Sequence, residues 1–502
     1  MILKGIKNTR PRNFHRMILV VLLFSIPLLP LFSDQTGEVI ASEDNTEYVI
    51  CSVNYTIEGK TREKVLNERL DIQEGEVLLG YTALEEYIAD KEQLIRNERT
   101  LASGQIKYVL DEDPQQPGLY HVDLYILAKD TWNYIALPYA KYDSNEGFLL
   151  SFRGRNYNFL GGMETLELNL DYWRTEPSGD TEYSVNGGFV IPFYLWDFNW
   201  RFYFDEDVVI DENDPLELYT RMGLSVDIPF ENLILQTNAD QYYYLNQEGD
   251  EDPDGYYMRT AGSFGSSIPL GFDIPLLGEP SYDLALITSY NYKPYDVLSE
   301  ERRGYEFGAE HEASAGRLDW LGNFRDGALF SLAQNLRYNF TREIWLSNLD
   351  AELQVHKTLG WAGLSTRFQG FYRYNDVEED AGDRIRGILD ARIEGNGGFY
   401  ANIDFPVKMW IWFMDRWFEA HFSPFFDYAL VQPDGGRLKL SEGWYGTGFE
   451  IFAFAKFARS LSLRASLGLD LEAMLDGAFI GDLAPRDGES IYEIYIGLHY
   501  HY

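Results

Sequence analysis

The chain has 502 residues and a net charge of −38, from 42 Lys plus Arg against 80 Asp plus Glu. That balance excludes nucleic acid as a partner, because phosphate binding needs Lys and Arg to displace counterions. A lone cysteine, Cys51, excludes an internal disulfide and a multi-cysteine metal site. Aromatics reach 16% of the chain, and beyond residue 33 no run attains the roughly 20 apolar residues that a membrane helix needs. A membrane barrel escapes that test, since only alternate residues of its strands face lipid.

Residues 1–33 read as a secretory signal. Lys4, Lys7, Arg10, Arg12 and Arg16 precede the apolar run MILVVLLFSIPLLPLF, and polar residues begin at Ser33. Pro27 and Pro30 break that run, which makes it a poor anchor helix and favours export. Residues 34–47 read as a polar linker. From Tyr48 the pattern becomes strand, helix, helix, strand, strand through residue 130. Tyr48 to Glu58 is β-rich and ends in Gly59-Lys60-Thr61, with Thr61 predicted to cap a helix over Arg62 to Leu70 and Gly75 lying past its end. Thr82 is the predicted cap of a helix from Ala83 to about Leu101. Strands over Gln105 to Asp111 and Leu119 to Ala128 follow, separated by DPQQPG.

The stretch VNYTIEGKTREKVLNERLDIQEGEVL carries an apolar strand, a Gly-polar-Thr turn, a helix and a helix-ending glycine. It resembles a POTRA domain, the periplasmic module that precedes barrels of the BamA/TamA outer-membrane superfamily. The resemblance implies a domain that engages incoming chains by strand addition at its sheet edge. A plain spacer is the other reading.

From residue 131 to 502 the signal is period-two alternation, the mark of half-buried strands. Leu166, Leu168, Leu170 and Tyr172 oppose Glu167, Asn169 and Asp171. Leu349, Ala351, Leu353 and Val355 oppose Asp350, Glu352, Gln354 and His356. Leu461, Leu463, Ala465, Leu467, Leu469 and Leu471 do the same toward the C-terminus. Short links at Pro192 to Trp196 and Pro229 to Asn232 alternate with longer acidic links at Asp205 to Pro215, Asn246 to Gly255 and Asp376 to Asp383. Short turns at one rim and long loops at the other are the habit of outer-membrane barrels. The fold class expected is therefore mainly β: a small α+β domain followed by an antiparallel transmembrane barrel. The residues themselves count to about eighteen strands, whereas the superfamily resemblance implies sixteen.

Asp383-Arg384-Ile385-Arg386-Gly387-Ile388 lies in a long link, and GNGGFYANIDF follows at residues 395–405. This resembles the arginine-glycine-aromatic motif on the inward-folded sixth external loop of the BamA/TamA superfamily. The resemblance implies that Arg386 sits inside the barrel with Gly387 beside it, paired with Asp404 and Asp427 on the next two strands. Five strands are expected after the loop. Ile388 replaces the usual aromatic, and Ala429 stands where a glycine is usual. Arg303-Gly304-Tyr305 fits the three-letter motif better but precedes too many strands.

Glu489 to Tyr502 alternates cleanly and reads as the closing strand, with Gly497, Tyr500 and Tyr502 matching the superfamily's C-terminal sorting signal. The resemblance brings this strand against Trp132 to Tyr142 at a weak seam where client strands pair. No phosphate loop, nucleophile elbow or HExxH occurs. His499 and His501 share a polar face and read as lumen residues rather than metal ligands. No enzyme activity, cofactor or metal is therefore expected. The expected place is the bacterial outer membrane, with the N-terminal domain in the periplasm. The expected partners are outer-membrane lipids and unfolded outer-membrane or secreted client proteins, with accessory lipoproteins as further candidates. The alternative is a passive pore or surface antigen.

Overall fold

In a computed structural model the chain is described over residues 46–498, apart from 146, 175–180, 197, 212–213, 231–232, 247–253, 300–301, 376, 411–415, 440–441, 458–460 and 475–490. The signal, most of the linker and residues Tyr500 and Tyr502 of the sorting motif lie outside that range, as do His499 and His501.

The N-terminal unit is a four-stranded sheet, β1 (Glu47–Glu58), β2 (Val77–Leu79), β3 (Leu101–Glu112) and β4 (Leu119–Asp130), in the order β2-β1-β4-β3. Strands β1 and β4 run parallel at its centre. Helices α1 (Glu63–Leu70) and α2 (Tyr81–Asn97) join them in chain order. Helix α1 buries Val65, Leu66 and Leu70, while α2 buries Leu84, Ile88 and Ile95, the i, i+4 and i+11 positions of one helical face. They meet Ile50, Leu124 and Ile126 of the sheet. Each fully buried aliphatic contributes about 1.5–3 kcal/mol.

The caps differ from expectation. Helix α1 starts after Arg62 and α2 after Gly80, neither with a side-chain cap. Thr61 does not cap because its hydroxyl donates to Asp130 Oδ1 at 2.7 Å. Helix α1 ends on Asp71 in the left-handed region, φ 46°, so Gly75 is not its terminator.

From Tyr134 onward the chain forms one closed antiparallel wall, β5 (Tyr134–Asp143) to β23 (Tyr492–Leu498). Within it β18 (Gly397–Asp404) and β19 (Val407–Met409) are two pieces of one strand, both paired with β20 (Phe418–Gln432). Among the described residues the wall therefore has eighteen strands, the count that the residues themselves suggest rather than the sixteen of the resemblance. Thirteen precede the 375–396 link and five follow it.

The wall is inside-out relative to a water-soluble protein. On β7 (Leu166–Arg174), Leu168 and Leu170 are 54% and 47% exposed, whereas Asn169 and Asp171 are 6% and 8% exposed. The same inversion holds on β22 (Ser462–Asp470), where Leu463 is exposed and Arg464 and Ser466 are buried. A broad apolar outer face would aggregate in water and belongs in lipid. Among the described residues no helix is long and apolar enough to cross a membrane.

Strand boundaries correct the loop assignments. The acidic stretch from Asp205 is not a loop as far as Asp211 but the second half of β9 (Phe198–Asp211). Asp205 finds a cation there: it lies 3.8 Å from Arg221, which also donates to Asp240 at 3.0 Å. Pro192 to Leu195 likewise belongs to β8 (Thr181–Leu195), leaving a tighter turn at Trp196.

The N-terminal unit docks on the rim opposite the long loops, at two places. On one side Arg62 N donates to Gly161 O at 3.0 Å, and Asn158 Nδ2 donates to Thr61 Oγ1 at 2.7 Å. Gly161 has φ 73°, and a Cβ there would collide with Lys60 O. On the other side α2 meets the turn between β14 (Gly304–Leu321) and β15 (Phe324–Asn339). Asp90 pairs with Arg317 at 2.7 Å, Trp320 N donates to Asn97 Oδ1 at 2.9 Å, and Arg99 lies 4.5 Å over the Trp320 ring. The β6–β7 and β14–β15 turns stand almost half the wall apart, so the unit spans the mouth.

Candidate functional site

The link after β17 (Gly363–Tyr374) folds back into the barrel. Its neck is closed by two backbone bonds, Glu378 N to Gly395 O at 3.0 Å and Gly395 N to Glu378 O at 3.1 Å. Ala381, Ile385, Ile388 and Ile393 are buried against Phe371, Tyr400, Ala429 and Val431. Ile388 and Ala429, the two departures from the motif, thus share one apolar cluster: an aliphatic side chain fills the place that an aromatic was expected to take. Tyr400 Oη donates to Ala381 O at 2.5 Å, and Asn402 Nδ2 to Arg384 O at 2.9 Å, satisfying loop carbonyls.

Arg386 is the centre of the arrangement. It is 1% exposed, and its guanidinium grips Asp427 bidentately, Nε to Oδ2 at 2.8 Å and Nη2 to Oδ1 at 2.7 Å. Nη1 donates to Asp404 Oδ1 at 2.8 Å, and the same nitrogen lies 3.1 Å from Glu450 Oε2. The planar group rests 3.8 Å over the Phe425 ring. Such a fork matches two carboxylates in a way that a lysine point charge does not.

Gly387 lets this happen. Its φ is 91°, and a Cβ would lie 2.5 Å from Leu469 N. The wall is pared in the same place, since a Cβ on Gly446 would collide with Arg386 O and one on Gly468 with Gly387 N. Backbone therefore lies directly on backbone, which only glycine permits.

The structure brings Arg386, Gly387, Asp404 and Asp427 together. It adds two groups that the motif did not contain. Glu450, on β21 (Trp444–Ala455), is 1% exposed and is shared between Arg386 and Arg464, whose Nη2 lies 2.6 Å from Oε1. Arg464 in turn lies 4.7 Å over the ring of Tyr495 on β23. The available signal was parity: Glu450 sits between Phe449 and Ile451, one polar residue in an alternating strand. By contrast Arg303-Gly304-Tyr305 opens β14, with Tyr305 exposed and packed on Phe340.

Near this cluster the wall closes. Strands β23 and β5 pair at two positions among the described residues, Tyr495 with Asp143 and Ile496 with Tyr142. Other neighbouring strands share between seven and sixteen, β18 and β19 counted together. Among the described residues the pairing goes no further than Ile496, and a Cβ at Gly497 would meet the hydroxyls of Tyr139 and Tyr495.

Compared with known proteins, no family model and no curated sequence matches the chain. Solved structures do match in outline. CdiB from Acinetobacter baumannii aligns at TM-score 0.45 and 12% identity over 90% of this chain and 73% of that one. BamA from Haemophilus ducreyi lacking POTRA domains 1-3 aligns at 0.41 and 13% over 90% and 84%. CdiB from Escherichia coli aligns at 0.39 and 11% over 96% and 95%. Likenesses of this depth assign neither a family nor a role.

Proposed function

We propose that the chain is an outer-membrane barrel of the BamA/TamA type that inserts outer-membrane proteins or translocates clients, which pair at the β5–β23 seam. The observation that carries this reading is the seam itself, which among the described residues shares two ladder pairs where other neighbouring strands share seven to sixteen. Breaking so short a ladder forfeits few hydrogen bonds, each worth about 0.5–1.5 kcal/mol net, and exposes two edges that can template a client strand. Bacterial outer-membrane residence, a periplasmic POTRA-like unit and export by residues 1–33 belong to the same reading, as does sorting by Gly497, Tyr500 and Tyr502. The Arg386 cluster serves as the lock that seats the loop inside the lumen. Client proteins and membrane lipids are then the partners, and no chemistry beyond strand exchange is required.

A second reading, a passive pore or surface antigen with the N-terminal unit as spacer, draws support from the docking of that unit on two widely separated turns. Depletion in cells separates the two. Loss of many other outer-membrane proteins or of a secreted client supports assembly, and an unchanged outer-membrane and secreted proteome overturns it.

A further inference from the structure

Beyond Arg386 the loop continues along the inner wall and reaches the seam. Three of its backbone N–H groups are satisfied by three different parts of the wall. Arg386 N donates to Asp427 Oδ2 at 2.9 Å, on β20. Gly387 N donates to Glu493 Oε2 at 2.6 Å, on the last strand. Asp390 N donates to Asn145 Oδ1 at 2.9 Å, just past the end of the first strand. The two seam residues also touch each other, Asn145 Nδ2 donating to Glu493 Oε1 at 3.3 Å. Beside them Ser144 N donates to Ile494 O and Ile494 N to Ser144 Oγ, both at 3.1 Å.

Glu493 thus stands at a junction. One carboxylate oxygen faces the loop and the other faces the opposite strand. We propose that the loop tip is the catch of the seam: Gly387, Glu493, Asn145 and Asp390 form a four-part clasp that ties β5 to β23, so the seam opens only when the tip withdraws. The clasp lies beside the two described ladder pairs of the seam. Two loop amides aimed at the two sides of one junction make the loop a bridge between the strands, and losing either amide bond breaks that bridge. A pull on the external arm of the loop is thereby transmitted to the membrane-facing seam, which couples events outside the cell to lateral opening.

The inference rests on reading the seam as the client entrance, but its test needs no client. In the purified full-length protein, amide hydrogen exchange over peptides 142–145 and 492–496 reports opening of the seam. Glu493→Ala removes both acceptor oxygens and is expected to speed exchange there about tenfold, as loss of two hydrogen bonds does. Asn145→Ala attacks the clasp from the other side of the seam and is expected to act in the same direction. The double variant should exceed neither single by much, because both break one coupled unit. Exchange over β14 and β15 should not move. Unchanged seam exchange in Asn145→Ala, or acceleration spread equally over β14 and β15, overturns the clasp. An unchanged proteome on depletion with a working clasp would overturn only the assembly reading.

Discussion

Replacing Arg386 by alanine is the sharpest perturbation of the lock. The side chain makes a bidentate pair with Asp427, bonds Asp404 through Nη1 and Nη2 at 2.8 and 3.3 Å, and lies 3.1 Å from Glu450. Asp427 and Glu450 are 0% and 1% exposed, so their charges have little water to turn to. Removing one partner of a buried ion cluster costs about 3–5 kcal/mol, mostly as the charge left uncompensated. Here three carboxylates would remain with Arg464 as the nearest cation. The cheapest relief is for the loop to leave and admit water, so loop seating should weaken more than a hundredfold before the wall unfolds. The readout is heat-modifiable migration on a gel, with the folded band lost at lower temperature, together with protease cleavage inside residues 377–396. A second substitution gives the sign test. Asp427→Asn added to Arg386→Ala removes one of the stranded charges and should recover part of the loss. Strictly additive losses, or an Arg386→Ala barrel with unchanged migration and cleavage, would refute the reasoning.

Other substitutions follow from the same geometry. Gly387→Ala places a Cβ 2.5 Å from Leu469 N at a φ of 91°, and should unseat the loop at a cost of about 1–3 kcal/mol, measured by the same cleavage. Asn97→Ala removes a bond accepted from Trp320 N and one donated to Asp319 at 2.9 Å, and should raise exchange at α2 and the β14–β15 turn while leaving the Gly161 side unchanged. Glu98 has its carboxyl pushed up by burial, with the opposing pull of Arg69 and a further push from Glu164, the pair that bridges the unit to the β6–β7 turn. A raised carboxyl favours the protonated folded form, so the unit should dock more tightly as pH falls through the Glu98 range. Glu98→Gln should remove that dependence, seen as pH-independent exchange over residues 95–101.

The strands were legible because alternation is local. Leu166 to Tyr172 declares an outward face whatever its neighbours are, and eighteen such stretches could be counted. Strand ends were not, because they depend on partners far along the chain. Asp205 looks like a loop residue until Arg221, on the next strand, is present to receive its charge. Thr61 looks like a cap until Asp130, nearly seventy residues later, takes its hydroxyl. The lock was half legible: Arg386, Gly387, Asp404 and Asp427 carry a motif, whereas Glu450 carries only its parity within β21. Nothing near Asn145 or Glu493 announces that they meet. Their contact is made by barrel closure, which joins residues almost 350 positions apart.

The central claim is that the wall opens between its first and last strands. Tyr142 and Ile496 face each other across that junction, and a directly paired antiparallel position has the Cα separation a disulfide needs. In a Cys51→Ser background, Tyr142→Cys with Ile496→Cys should oxidise readily, abolish delivery of other proteins to the outer membrane, and regain it on reduction. A barrel locked by that disulfide that still supports a normal outer-membrane proteome would contradict the account.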